Sequence, residues 1–128
     1  MLKLISFSAL AAVVLTAGAA FAAEPATMTP PAASNGMLVS AKGMTLYTFD
    51  KDTAGKSACN GQCATNWPPM LVADGGKASG NWTIVVRDDG LKQWAYKGKP
   101  VYGWVKDSKP GDTTGDGFMN GAWHIAKP

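Results

Sequence analysis

Several residue types are scarce in this chain of 128 residues, and each scarcity removes a class of function. There is one histidine, His124, so neither a zinc site of paired cysteine and histidine ligands nor a Ser-His-Asp triad has any choice of members. There is one arginine, Arg87, and the formal net charge is only +3, which leaves no basic stripe of the kind that holds nucleic acid. The lysines at 92, 97, 99, 106 and 109 gather in the C-terminal third, but Asp107 dilutes them and they read as a solvated face. The two cysteines, Cys59 and Cys63, are not spaced as C-x-x-C, sit in no thioredoxin-like βαβ pattern and are not followed by the histidine of a haem attachment site. Paired catalytic carboxylates, a nucleophile elbow and H-E-x-x-H are all missing, so a hydrolase is the weakest reading and the chain is expected not to be an enzyme.

What is present begins with an apolar leader. Lys3 is the one charged residue in the first twenty-two, Leu4 to Phe21 is apolar or small, and Ala20-Phe21-Ala22 offers small residues where a signal peptidase reads. Residues 1–22 are therefore expected to be a secretory signal cleaved after Ala22. With no cysteine near the cut, no lipid anchor and no stable membrane attachment after cleavage are expected. Removing Lys3 from a net +3 leaves +2 on a mature chain able to bury one modest core. The location implied is the periplasm or the exterior.

Residues 23–35 read AEPATMTPPAASN, a Pro/Ala-rich composition that predicts a flexible arm. From Gly36 to the end, short runs rich in Val, Ile, Thr, Trp and Tyr alternate with Gly, Asp-Gly and Lys-Gly, and no long 3.6-residue apolar repeat occurs. The fold class expected is mainly β. Trp82 to Arg87, Asp88-Asp89-Gly90 and Leu91 to Tyr96 form a hairpin signal, because Asp-Gly supplies the positive φ the turn requires. Strands over 82–87, 91–96 and 100–104 would make a meander, with Pro100 at a strand start or on an edge, and a last strand would run over 123–126.

An internal repeat organises the domain at 36–128. Leu38–Asp52 laid on Gln93–Asp107 at an offset of 55 residues matches Lys42 with Lys97, Gly43 with Gly98, Tyr47 with Tyr102, Lys51 with Lys106 and Asp52 with Asp107. Leu46 lies over Val101 and Phe49 over Trp104, and one further inserted residue pairs Trp67 with Trp123. The copies cover about 36–67 and 90–123, and units this small are expected to pack into a pseudo-symmetric antiparallel pair sharing one core.

The motif Tyr-x-aromatic-x-x-Asp supports two readings. Residues two apart on a strand share a face, and an aspartate at the strand end can accept backbone N–H bonds. Under the first reading Tyr47, Phe49, Tyr102 and Trp104 are core, each tyrosine hydroxyl has a buried partner, and Asp52 and Asp107 pin turns. Under the second, the four rings stack on a ligand while the two aspartates make polar contacts. Repetition favours the first, since architecture must be repeated and a site need not be.

These residues carry a resemblance. Leu46-Tyr47-Thr48-Phe49-Asp50-Lys51-Asp52, the Cys59 to Pro69 segment, Gln93 to Tyr102, and Gly111-Asp112-x-x-Gly115 through Trp123-His124 resemble the bacterial family of secreted repeats of unknown function, often described as predicted lipoproteins with a Yx(FWY)xxD motif. The resemblance implies an exported envelope protein and supplies no activity.

In an oxidising compartment an even cysteine count implies a Cys59–Cys63 disulfide. Helical residues four apart hold their Cβ atoms wider than a bridge wants. An ideal helix therefore cannot run through both, and a short helix or turn from near Gln62 to Asn66, relaxed at Gly61 and stopped before Pro68-Pro69, is expected. No cofactor and no metal are assigned. Copper held by His124 with Met37, Met44, Met70 or Met119 is chemically allowed, but the methionines are dispersed. Asp112-x-Thr114-x-Asp116-Gly117 opens like a calcium loop but reaches Trp123 where glutamate belongs, so a turn is the better reading. The leading expectation is a non-enzymatic binding or accessory module of the envelope with an unknown ligand or protein partner; the alternative is a redox or copper-handling protein.

Overall fold

The strands are short because turn residues interrupt every apolar run, and they are joined into a continuous antiparallel network by single bridges. A computed structural model describes residues 23–128; the expected leader and its cleavage point lie outside the described residues. The elements are β1 (Ala32–Ser34), β2 (Met37–Val39), β3 (Tyr47–Phe49), α1 (Gln62–Asn66), β4 (Trp82–Val86), β5 (Lys92–Tyr96), β6 (Lys99–Pro100), α2 (Phe118–Gly121) and β7 (Trp123–Ile125). Sheets are β1-β2, β3-β7 and β4-β5-β6, all antiparallel. The mainly β fold expected from composition is present. No helix among the described residues is long and apolar enough to cross a membrane.

The repeat is a structural fact with an approximate twofold axis between Tyr47 and Tyr102. These two exchange both backbone hydrogen bonds, Tyr47 N to Tyr102 O at 2.8 Å and Tyr102 N to Tyr47 O at 2.9 Å. Around that pair three bonds of one copy have twins in the other. Leu38 N donates to Ala126 O as Trp94 N does to Met70 O, and Ala126 N donates to Leu46 O as Met70 N does to Val101 O. Asp50 N donates to Ala122 O as Val105 N does to Asn66 O.

These twins correct the alignment before the Lys-Gly turn. Leu38 is the counterpart of Trp94, not of Gln93, because the first copy turns through three residues between Ser40 and Met44, while the second turns through two between Tyr96 and Lys99. In the second turn Lys97 and Gly98 both have positive φ, 50° and 84°, as a two-residue hairpin requires. A one-residue shift exchanges the faces of a strand, and Leu38 and Trp94 indeed sit in the same core cluster.

Two further expectations change. The third strand of the meander is only Lys99–Pro100, because the chain then leaves β5 and Tyr102 bridges Tyr47 and Pro69 instead. Residues 23–35 do not run free. Asn35 and Gly36, with φ of 52° and 77°, fold β1 back onto β2. Upstream, Thr27 forms a parallel bridge to Val72, and its Oγ1 accepts a bond from Trp94 Nε1 at 3.0 Å. The composition predicted a linker, but edge backbone groups at 71–73 pair with Thr27 whatever side chains flank it.

The core has two clusters. Leu38, Met44, Leu46, Met70, Val72, Trp94, Val101 and Ala126 form one; Tyr47, Phe49, Cys59, Trp67, Tyr102, Trp104 and Trp123 form the other. The disulfide is present, with Cα atoms 5.2 Å apart. Cys59 lies before α1 and Cys63 within it, and Gly61 at the helix start has φ of 59°, which is how the segment avoids an ideal helix through both sulfurs.

Candidate functional site

The six motif residues are brought together, and they face inward. Tyr47 and Tyr102 have no exposed surface, Phe49 and Trp104 are buried, Asp107 is fully buried and Asp52 is partly so. The rings that the sequence offers as stacking platforms are thus occupied by one another. Phe49 stacks on Trp123 with centroids 4.2 Å apart, Trp123 on Trp67 at 3.7 Å, and Trp67 on Trp104 at 4.0 Å. Tyr47 meets Trp67 edge-on and Tyr102 meets Trp123 edge-on.

Each tyrosine hydroxyl donates to the aspartate of the other copy, both at 2.6 Å: Tyr47 to Asp107 Oδ2 and Tyr102 to Asp52 Oδ2. The second oxygen of each aspartate holds its own loop. Asp52 Oδ1 accepts from Ala58 N and Asp107 Oδ1 from Thr114 N and Oγ1. Burial, then donation to a carboxylate, pushes both phenols well above the ordinary tyrosine range. Asp52 is raised by burial, opposed by the bonds from Tyr102 and Ala58 and by the charge of Arg87.

Arg87 is the residue that sequence reading undervalues. Its buried guanidinium donates to Ser57 Oγ, Gln93 Oε1 and the Cys59 carbonyl, and Nε reaches Asp89 Oδ2 at 3.1 Å. Ser57 Oγ lies 2.6 Å from Tyr102 Oη, so the first clasp is tied to a charge network that the second lacks. Nothing in the order of residues near 87 announces this. The motif and Arg87 together form a structural clasp, in which Asp52 alone of the six motif residues keeps an exposed part.

The redox candidates Cys59 and Cys63 are joined in the disulfide, and the copper candidates fall in different environments. Met44 and Met70 are core residues, Met119 is exposed, and His124 stands on the outer face of β7 with Nε2 2.8 Å from Asp50 Oδ2. Asp112 accepts from Ser108 and Lys109 backbone N–H groups and Asp116 from Ile125 N, the roles of turn carboxylates. No group of three or more His, Cys, Asp or Glu side chains that could hold a metal occurs among the described residues.

The open concavity lies elsewhere. A groove of about 390 Å³ has Leu38, Ile125 and Ala126 as its apolar wall and Tyr96, Lys97, Lys99, Lys127, His124 and Asp50 around it. Its neighbour of about 340 Å³ continues past Asp52 and Pro100 and shares Thr48, Asp50, Lys97 and Lys99 with it. Both are of the size that holds small ligands or short peptide segments. Here the repeat symmetry breaks: Thr48, Asp50, His124 and Lys127 have Gly103, Val105, Pro68 and Leu71 as counterparts. The sequence signal was available, as polar residues in one copy where the other is apolar, but it required the register to be read.

No curated protein and no solved structure matches the chain at a significant level. A family model does match it twice, over residues 32–70 and 83–127, which are the two structural copies with β1 included in the first. The chain belongs to the family described as secreted repeat of unknown function.

Proposed function

We propose that this protein is a non-enzymatic binding or accessory module of the cell envelope, delivered to the periplasm or the exterior by a cleaved leader at residues 1–22 and left without a membrane anchor. The Tyr-aromatic-Asp motif then builds the scaffold, and binding belongs to the groove on the outer face of β3 and β7. One observation carries this reading. The backbone pairing about the twofold axis and the crossed tyrosine–aspartate bonds recur between copies, while the groove positions differ in charge and polarity. The exported location is supported by the family description, by the leader composition and by the disulfide.

The test is to map backbone amide shifts of the isotope-labelled protein against a mixed fragment set of acidic, basic and neutral compounds. Perturbations confined to Leu38, Thr48, Lys97, His124 and Ile125 support a binding module working through this groove. A set that perturbs only other surfaces, or none, refutes it.

A further inference from the structure

The groove has a twin, and the chain's own arm covers one side of that twin. The twofold relation carries Leu38 to Trp94, Tyr96 to Ser40, Ala126 to Met70 and Lys127 to Leu71. Those four counterparts line a second concavity whose other wall is the N-terminal arm, from Glu24 to Ala32. There the arm lies extended along the edge at 71–73. Thr27 N donates to Leu71 O at 3.0 Å, Ala73 N donates to Thr27 O at 2.8 Å, and Trp94 Nε1 reaches Thr27 Oγ1. An extended segment therefore fits this surface and is held mainly through its backbone, as in strand addition to a sheet edge.

We infer that the groove beside β7 is the docking site for an extended, acidic peptide segment of a partner protein, seated as the arm is seated on the twin. This rests on reading the chain as a binding module. The extended conformation follows from the seat the arm occupies at the related position: Lys127 O stands where Leu71 O accepts from Thr27 N, while the indole donor of Trp94 has Leu38 as its counterpart and does not recur. The acidic character follows from what replaces the arm's apolar bed: Lys127 stands where Leu71 stands, and Lys97 and Lys99 rise from the facing turn. All three lysines are exposed, and among the described residues none is in an ion pair. Asp50 is the opposing charge and it is engaged by His124. Charges of this kind govern partner choice and encounter more than affinity.

The experiment uses blocked synthetic peptides with the sequence of residues 24–33 of the arm in three forms: native, with Ala26→Asp and Thr29→Asp, and with Ala26→Lys and Thr29→Lys. Amide shift mapping on the mature protein should show saturable 1:1 binding of the acidic form, below about 1 mM, with shifts at Ile125, Ala126, Lys127 and Lys99. The acidic form should bind about tenfold more tightly than the lysine form, and Lys99→Glu with Lys127→Glu should reverse that order while leaving the remaining amide spectrum unchanged. Equal affinity for both forms, an unchanged order in the double variant, or no saturation would overturn the inference. So would shifts at Thr27, Leu71 and Trp94, which would mean exchange with the protein's own arm, or self-association that perturbs the groove without peptide, which would assign it to a second copy. Inorganic phosphate or a small carboxylic acid that shifts the groove when no peptide does would leave the binding module standing and remove the peptide.

Discussion

Trp67 and Trp123 lie face to face, with ring centroids 3.7 Å apart and planes 2° from parallel, and they are the equivalent residues of the two copies. The approximate twofold axis that passes between Tyr47 and Tyr102 also passes between these rings, and Phe49 and Trp104 extend the stack on either side. Neither copy can complete this stack alone, because each contributes alternate layers. The two repeats are thereby committed to one folding unit.

Truncating either central ring should cost nearly the same. Trp67→Ala and Trp123→Ala are each expected to lose about 3–5 kcal/mol in urea unfolding, the range for large aromatic deletions in a core. The double variant should lose less than the sum, since the two rings share one contact. A difference of more than about 2 kcal/mol between the single variants would show that the copies are not energetically equivalent at this layer.

The crossed tyrosine–aspartate pairs separate in a different way. Asp107 is fully buried and its two oxygens accept from three donors, so the amide introduced by Asp107→Asn must turn its nitrogen towards one of them. That substitution should cost about 1.5–3 kcal/mol, the range for a bond to a charged acceptor. Asp52 is partly exposed and burial already disfavours its charge, so Asp52→Asn should cost about 1 kcal/mol or less. Melting temperatures of the two variants give the order directly; the reverse order would mean that Arg87 depends on Asp52 more than the geometry indicates.

Much of this was legible in the residues, and the missing part has a physical cause. The matched Tyr, aromatic, Asp and Trp positions disclose two copies because burial constrains side-chain size, and size is written in sequence. The disulfide and the Asp-Gly turn were equally plain. The crossing of the clasp was not, since Tyr47 with Asp52 and Tyr47 with Asp107 are the same residue types and only the twofold arrangement selects between them. Docking of the arm was hidden too, because two of the three bonds at Thr27 use backbone groups that every residue carries. The groove required both the corrected register of Leu38 with Trp94 and the knowledge that the arm covers one side of its twin.

Alkali tests the same clasp. Burial holds the protons of Tyr47 and Tyr102 well above the ordinary range in the folded state, whereas the unfolded chain releases them near pH 10. Above that pH the folded state binds more protons than the unfolded one, so stability falls as pH rises, by up to about 1.4 kcal/mol per unit for each tyrosine. Below it this linkage is flat. Tyr47→Phe should therefore lower stability at pH 8 through the lost hydrogen bond yet show a shallower decline between about pH 10 and 12 than the unmodified protein. Denaturant midpoints measured across that window, with tyrosinate absorbance recorded on the folded protein, check both parts; parallel declines would mean that Tyr47 ionises while folded.

Gly115 offers a test of packing without backbone strain. A Cβ at this position would lie 2.7 Å from Trp67 Cη2 and 3.1 Å from Trp104 Cδ1, closer than side chains tolerate, and both rings are locked in the stack. Its counterpart in the first copy is Cys59, since Ala58 and Thr114 make twin bonds to their aspartates; the first copy fills with a sulfur what the second must leave open for Trp67. Gly115→Ala is expected to cost about 1–3 kcal/mol through overpacking and to alter the near-ultraviolet circular dichroism of the tryptophans. Gly111→Ala is the control, because nothing lies within 4 Å of its Cβ and only its φ of +93° opposes a side chain; it should lose about 1 kcal/mol with the tryptophan spectrum unchanged. A Gly115→Ala protein that keeps both its midpoint and its aromatic spectrum would show that the four-ring stack has slack, and that the close approach of Trp67 to the 115 backbone is not what fixes glycine there.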